Sequence, residues 1–372
     1  MSKKVGIIDH IGIKGGNHYY SLCLLDALSR KGYETFFLSN MEKVLGEENV
    51  FVKKIYDENI SKTIKGMFQL IFGTIVGSYF LNQRGVKTVI IHLFEASWIT
   101  LVTCLIFRLF RLKIIAIAHD VESFEKNETA LVSKVVYQNF LDTIVAHNHF
   151  SFDVIKDKFN NRTSRKTKII KHGGHLTVIN TEITKMDALE KLNLDSEYQY
   201  ALFFGQIKKV KGLDVLLEAF PDNLPDLKLV VAGKPWKDDF SEYQKIIDKR
   251  KINDKVHTII RYITEEERDL LYNAASFIIL PYKEIFQSGV LLMAMSYGLP
   301  IIVSDLEANK EVLKSEEALF FESENIADLR KKIQELNDNI ELGKDMAKKV
   351  QNKIKTDYDW DTISMEYFDL IK

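Results

Sequence analysis

Short, nearly continuous apolar runs alternate along this chain with longer segments whose apolar positions recur every three or four residues. Val5–Ile8, Glu34–Leu38, Thr88–His92, Lys113–Ala118, Thr143–Ala146 and Lys168–Ile170 have the β-branched character of strands buried in a sheet. Between them, Asn17–Arg30, Ile64–Leu81, Ser97–Arg111 and Thr129–Asn139 carry the helical period. Strand alternating with helix predicts parallel sheet joined by right-handed crossovers. The polar stretch Asn160–Lys168 and the pair Gly173-Gly174 then interrupt the rhythm. It restarts with strands at Tyr200–Phe204, Lys228–Ala232, Val256–Ile260, Phe277–Leu280, Ile301–Val303 and Leu319–Phe321. The expected fold class is α/β, with two doubly wound domains facing a cleft. Their bounds are expected at residues 1–180 and 181–355, followed by an amphipathic terminal helix over 356–372.

Composition agrees with two folded domains: 372 residues, 46% hydrophobic and 28% charged, with only five prolines. Cys23 and Cys104 lie far apart without a CxxC pair, which predicts two core thiols of a cytoplasmic protein, not a disulfide framework. Met1–Asp9 runs directly into a strand, so no signal peptide is expected. The apolar stretch Thr88–Phe107 is broken by His92 and Glu95 and reads as strand, loop and buried helix, not as a membrane span. The near-neutral total hides an asymmetry. Residues 1–175 carry 24 Lys and Arg against 16 Asp and Glu, whereas the remainder carries 27 against 36. A basic first half suggests a partner such as an anionic membrane surface or a lipid diphosphate, although a simple solvated mixture of charges is an equal alternative. Nucleic acid is not expected, because no recognition helix or aromatic-basic motif accompanies the charge.

Two stretches of the second half carry candidate chemistry. In Pro281–Pro300, an apolar run ends at proline, passes through Gln287-Ser288-Gly289 and launches an apolar segment closed by Gly298-Leu-Pro300. The first N–H groups of such a helix lack intrahelical partners and sit at the positive end of its dipole, which suits an anion. Ser288 and Gly289 keep that end uncluttered, so a diphosphate could touch backbone. In Phe203–Phe220, a strand runs into Gly205, and Lys208, Lys209 and Lys211-Gly212 follow. Lysines at a strand's carboxyl end can neutralise charge growing on a departing phosphate. The plain alternative is a solvated lysine face. In the first half, Ile114–Ala118 ends in His119-Asp120, and Gly12-Ile-Lys-Gly15-Gly16-Asn-His18 follows the first strand. The latter spacing is not GxGxxG, and the second strand ends in Ser39-Asn40, which disfavours a dinucleotide site; a tight turn serves equally well. His147, His149, His172 and His175 show nothing that fixes metal convergence, and no GxSxG elbow or P-loop is present.

Gly205…Lys211-Gly-Leu-Asp-Val-Leu-Leu-Glu-Ala-Phe220, Val230-Val-Ala-Gly-Lys-Pro235 and Pro281…Gly298-Leu-Pro300 resemble bacterial family 4 glycosyltransferases, most specifically over residues 200–312. That resemblance implies the GT-B architecture of two Rossmann-like domains, the first for acceptor and the second for nucleotide-sugar. It also implies transfer with retention at the anomeric carbon, a nucleotide-diphosphate sugar as co-substrate, a glycan or lipid-linked acceptor, and no cofactor or required metal. It assigns Lys208 and Lys211 to the diphosphate, joined by backbone at Gly205, Ser288, Gly289 and Val290 and by the loop at Gly15 and Gly16. Arg261 and Tyr262 would border the base, Glu284 and Gln287 the donor sugar, and His119 would be the active-site histidine. The helix after Trp360 resembles one that returns to the first domain. One departure stands out. The family's two glutamates, eight positions apart, fall here on Ile285 and Met293, as in a Gln-Ser-Gly-Val subgroup. Two rivals are a nucleotide-sugar epimerase on the same architecture and a catalytically silent partner subunit.

Met67–Phe80 and Trp98–Phe110 are unusually apolar, with Arg108, Arg111 and Lys113 just beyond. Core packing on the sheet is the favoured reading and interfacial docking to a membrane the other.

Overall fold

The computed structural model describes residues 3–10, 12, 18–42, 50–57, 63–94, 96–120, 130–237 and 239–371. It divides into two compact units, Met1–Gly173 with Tyr358–Lys372, and Gly174–Asp357. The expected bounds put the first division at 180/181 and the terminal helix at 356; the division observed falls seven residues earlier. Residues 174–180 are tied into the second unit. The His175 N–H donates to Ser296 Oγ (3.0 Å) and the Arg268 guanidinium to the Val178 carbonyl (2.7 Å).

The first unit is built on seven parallel strands: β1 (Lys3–Ile8), β2 (Tyr33–Ser39), β3 (Val50–Lys54), β4 (Thr88–Leu93), β5 (Lys113–Ala118), β6 (Thr143–Ala146) and β7 (Thr167–Ile169). Their order is β3-β2-β1-β4-β5-β6-β7. Strand β5 is buried from Ile114 onward, as its unbroken apolar run demands. The edge strand β3 went unanticipated because its sequence, Val-Phe-Val-Lys-Lys, buries only Val50 and lacks that signature. Ser97 caps the helix Trp98–Leu109 with a reciprocal Thr100 pairing, so that helix starts where its sequence signal lies. The helix expected over Thr129–Asn139 is observed as Ala130–Val135 followed by a π-helical turn, Val136–Phe140, while Thr129 lies outside the described residues. The terminal helix Trp360–Ile371 docks on this unit. Arg30 pairs with Asp361 (3.0 Å), and Lys113 and Thr88 donate to the carbonyls of Leu370 (2.6 Å) and Ile371 (3.3 Å). A Cβ on Gly173 would lie 2.1 Å from the Trp360 ring, so glycine is what lets the indole lie down there.

The second unit holds six parallel strands: β8 (Gln199–Phe204), β9 (Leu227–Ala232), β10 (Val256–Ile259), β11 (Phe277–Leu280), β12 (Ile301–Ser304) and β13 (Leu319–Phe321), in the order β10-β9-β8-β11-β12-β13. All six fall within a residue of the strands expected. The sheet's side chains merge with those of helices Leu213–Ala219 and Ile326–Asp338 into one apolar core. Both sheets are doubly wound, and each reverses direction once: between β1 and β4 in the first, between β8 and β11 in the second. Open α/β sheets bind ligands at the carboxyl ends of the strands flanking such a reversal.

Candidate active site

The second reversal brings together the two stretches singled out from sequence. The loop after β8 carries Gly205 to Gly212, and the loop after β11 carries Pro281 to Ser288. They are closely joined: the Lys283 N–H donates to the Val210 carbonyl (2.9 Å), and Lys283 Nζ pairs with Asp214 (2.7 Å). Gly212 has φ of +66°, and a Cβ there would lie 1.8 Å from the Pro281 carbonyl oxygen. No L side chain fits both that conformation and that space. Gly205 (φ +106°) faces Val290, whose Cγ2 would lie 3.2 Å from an added Cβ. Diphosphate-binding candidates from both loops therefore share one place.

Ser288 caps the helix Gly289–Tyr297; its buried hydroxyl accepts from the Leu291 N–H (3.1 Å) and donates to the Tyr282 hydroxyl (3.3 Å). Ser288→Ala should therefore lower stability by about 1 kcal/mol, the usual worth of a hydroxyl cap, seen as a lower urea midpoint. An unchanged midpoint would mean that the cap contributes nothing. Gly289 is exposed, and among the described residues a Cβ there would meet nothing within 4 Å. Lys211 ends the short turn Lys209–Lys211, its ammonium 3.9 Å from the centre of the Tyr282 ring. Tyr282 thus links Lys211 to the cap: its face holds the cation and its hydroxyl meets Ser288. Burial holds the Tyr282 hydroxyl far above its ordinary pKa, so it stays protonated. Sequence reasoning passed over Tyr282, although it stands next to the proline that ends the strand.

Lys208 is placed differently. Its ammonium lies 4.7 Å from the ring centre of the half-exposed Trp236, in the loop after β9. That loop is pinned to the first by Ile207 donating to the Lys234 carbonyl (3.0 Å) and Trp236 to the Ile207 carbonyl (3.0 Å). At its root, a Cβ on Gly233 (φ +155°) would lie 1.8 Å from the Gly205 carbonyl oxygen. Arg261 forks onto Glu267, with Nη1 at 2.7 Å from Oε2, and that bond, ahead of the Thr264 N–H, holds the Glu267 carboxyl down at about 2. Glu267 closes the capping box of helix Glu265–Ala274. Arg261, read from the resemblance as a base contact, is thus already engaged in buttressing a helix start, with Tyr262 half-exposed beside it. Glu284 is exposed and Gln287 half-buried. Ile285 and Met293, where the family's glutamates would stand, are buried apolar residues.

In the first unit, His119 lies at the carboxyl end of β5 but is nearly enclosed. Its Nε2 is 2.7 Å from His92 Nδ1, whose Nε2 in turn is 2.7 Å from Ser21 Oγ. The rings of Phe94 and His147 lie 4.7 and 5.4 Å away. His147 and His172 follow β6 and β7, and the four imidazoles surround Tyr20, whose hydroxyl meets that of Tyr367 in the terminal helix. Burial, then the neighbours His92, His147 and His172, hold His119 well below the usual imidazole range. His119 is therefore a neutral hydrogen-bonding group. Sequence spacing could not reveal this cluster, because its members come from successive strand ends 25 to 28 residues apart, which only the parallel sheet makes neighbours. Among the described residues no group of three or more His, Cys, Asp or Glu is placed to hold a metal ion. In the loop after β1, the Gly12 N–H donates to the Asp9 carboxylate (3.1 Å); Gly15 and Gly16 lie outside the described residues.

Comparisons with known proteins bear on the family and the fold. Residues 185–353 match the family model described as glycosyl transferases group 1. Spore coat protein SA of Bacillus subtilis is 25% identical over 235 residues, 59% of this chain and 62% of that protein. A GDP-mannose:glycolipid 4-beta-D-mannosyltransferase of Xanthomonas campestris pv. campestris is 28% identical over 113 residues, 30% of this chain and 32% of that one. The chain thus spans less than two thirds of the length of these relatives. The Anabaena protein Alr3699/HepE, solved in complex with UDP and glucose, superimposes with a TM-score of 0.79 at 14% identity, over 99% of each chain. That likeness extends the two-domain, Rossmann-like GT-B fold over both units. With its lysine turn and helix start at one sheet reversal, the segment 185–353 is similar to the group 1 glycosyl transferases, whose family model it matches.

Proposed function

We propose that this chain is a retaining hexosyltransferase that moves a sugar from a nucleoside-diphosphate sugar to a glycan or lipid-linked acceptor. Its setting would be cell-surface polysaccharide synthesis at the cytoplasmic face of a membrane. The observation that carries this is the convergence of Lys211, through Tyr282, with the N-terminus of helix Gly289–Tyr297 at the β8/β11 reversal. Fixed N–H groups and a cation aimed at one point stabilise charge as it develops on a leaving group. The acceptor oxygen forms its bond to the anomeric carbon on the face the diphosphate leaves. The C–O bond to phosphate breaks with its electron pair, and the departing phosphate takes the acceptor's proton. Lys208 and Lys211 would hold the diphosphate, Gly205 and Val290 its backbone contacts, and neutral His119 the sugar, with no metal ion in the machinery. Relatives that use GDP-mannose and a neighbour solved with UDP support a nucleotide-sugar donor.

A thermal-shift panel of UDP, GDP and their hexose conjugates tests this. A true donor at a hundredfold its Kd should stabilise the native state by about 2.7 kcal/mol, with saturation. The absence of any saturable shift would favour a second reading, a catalytically silent subunit, to which the buried Ile285 and Met293 in place of the glutamate pair lend some weight.

A further inference from the structure

The helix Ile64–Gln83 is built inside out. Its buried face, toward the sheet, consists mainly of small residues: Gly66, Gly73, Thr74, Gly77 and Ser78, with Leu70 and Leu81. A Cβ on Gly73 would lie 2.5 Å from the Ile55 carbonyl oxygen, so close packing requires glycine there. Its outward face carries the large apolar side chains. Ile64, Phe68, Phe72, Ile75 and Tyr79 are 74%, 63%, 68%, 40% and 57% exposed, at spacings of three and four that form one stripe. The neighbouring helix Trp98–Leu109 adds Trp98 at 63% and Leu109 at 81%. A helix normally turns such residues inward, and a contiguous exposed patch of this kind marks a surface that something apolar covers. The expectation that these segments are plain core helices is thus only half right.

Charge says what covers it. Neither helix contains an acidic residue. The two C-terminal ends lie together, Asn82 donating to the Phe110 carbonyl (2.9 Å), and exposed Arg84 and Arg111 follow directly. Arg84 and Lys53 also lie over the ring of Phe80, the residue after Tyr79, at 5.1 and 4.2 Å. Asp57, which accepts from Gln69 (2.6 Å), is an acid that meets helix Ile64–Gln83. An apolar face on acid-free helices with a cationic margin at their C-terminal ends fits the headgroup region of an anionic bilayer. The helix is long enough to span, yet its glycine face is committed to the sheet, so it would lie in the interface plane. We infer that the outward face of Ile64–Gln83, with Trp98 and Leu109, is a docking surface for an anionic membrane. This deepens the proposed function by locating the surface that would present a lipid-linked acceptor.

Flotation of the full chain with phosphatidylglycerol–phosphatidylcholine vesicles, without sugar nucleotide, tests it independently of transferase activity. Expected is co-flotation at low salt that weakens as salt or phosphatidylcholine rises. Phe68→Glu with Phe72→Glu should cut binding about tenfold or more, and Arg84→Gln about fivefold. Because these side chains face outward, the variants should melt like the parent. No flotation on anionic vesicles, equal flotation of the Phe68→Glu/Phe72→Glu variant, or a dimer in ultracentrifugation that this variant dissociates would each overturn the inference. The last result would identify the cover as a second copy.

Discussion

Lys211→Ala should abolish the donor-induced rise in melting temperature and lower kcat about 10²- to 10³-fold, the usual cost of removing one preorganised group facing developing charge. The effect is large because one face of Tyr282 holds the ammonium 3.9 Å from the ring centre, and the same ring's hydroxyl meets the cap of the helix start proposed to face the diphosphate. The unliganded variant should lose no more than about 1 kcal/mol, the worth of a partly exposed cation–π contact. Lys208→Ala should cost less, because its ammonium rests on Trp236. A Lys211→Ala protein whose shift with the cognate donor matches the parent's would show that the diphosphate binds elsewhere.

The second large effect is on stability in mild acid. Burial lowers the pKa of His92 and His147, the latter to about 4, and burial with three neighbouring imidazoles lowers that of His119. An unfolded chain binds these protons near the ordinary value of about 6.5, so below that pH it holds more protons than the native state. Stability is therefore complete above about pH 6.5 and falls as pH drops toward the folded values. For His147 alone the drop by pH 4 amounts to about 3 kcal/mol, and His92 and His119 add to it. Glu267, held at about 2 by Arg261, adds its own loss only as pH falls through the ordinary carboxylate range. Glu366, raised by burial, opposes the trend with a single proton. Urea midpoints at pH 7.5, 6.5, 5.5 and 4.5 should decline steadily through the last three. A flat profile would mean that the imidazoles are solvated in the native state. Since Tyr20, which they surround, meets Tyr367 and Trp360, undocking of the terminal helix is the expected first event.

Most of the fold was legible because parallel strands buried on both faces announce themselves as unbroken apolar runs: β5, β6 and β11 begin and end where their sequences change character. β3 escaped because an edge strand needs no such run, and its Phe51 stays partly exposed. The candidate anion site was legible for a related reason. Gly205, Gly212 and Ser288 are residues the local backbone demands, through positive φ or a cap, so geometry leaves a mark on identity. What did not show was whatever depends on contact between distant strand ends: Tyr282 joining two loops, Trp236 beneath Lys208, and the four-histidine cluster. The apolar helices showed as apolar but not as inverted, since composition carries no sign for which face a residue takes; that required the glycine contacts at Gly73 and Gly77.

The proposed function requires the lysine turn after β8 and the helix opening at Gly289 to hold one diphosphate. A crystal structure with UDP or GDP bound tests it most directly. It should place phosphate oxygens within about 3 Å of the Gly289 backbone nitrogen and of Lys211 Nζ. Phosphorus atoms lodged at the β1/β4 end of the first sheet, or anywhere out of reach of both groups, would contradict it.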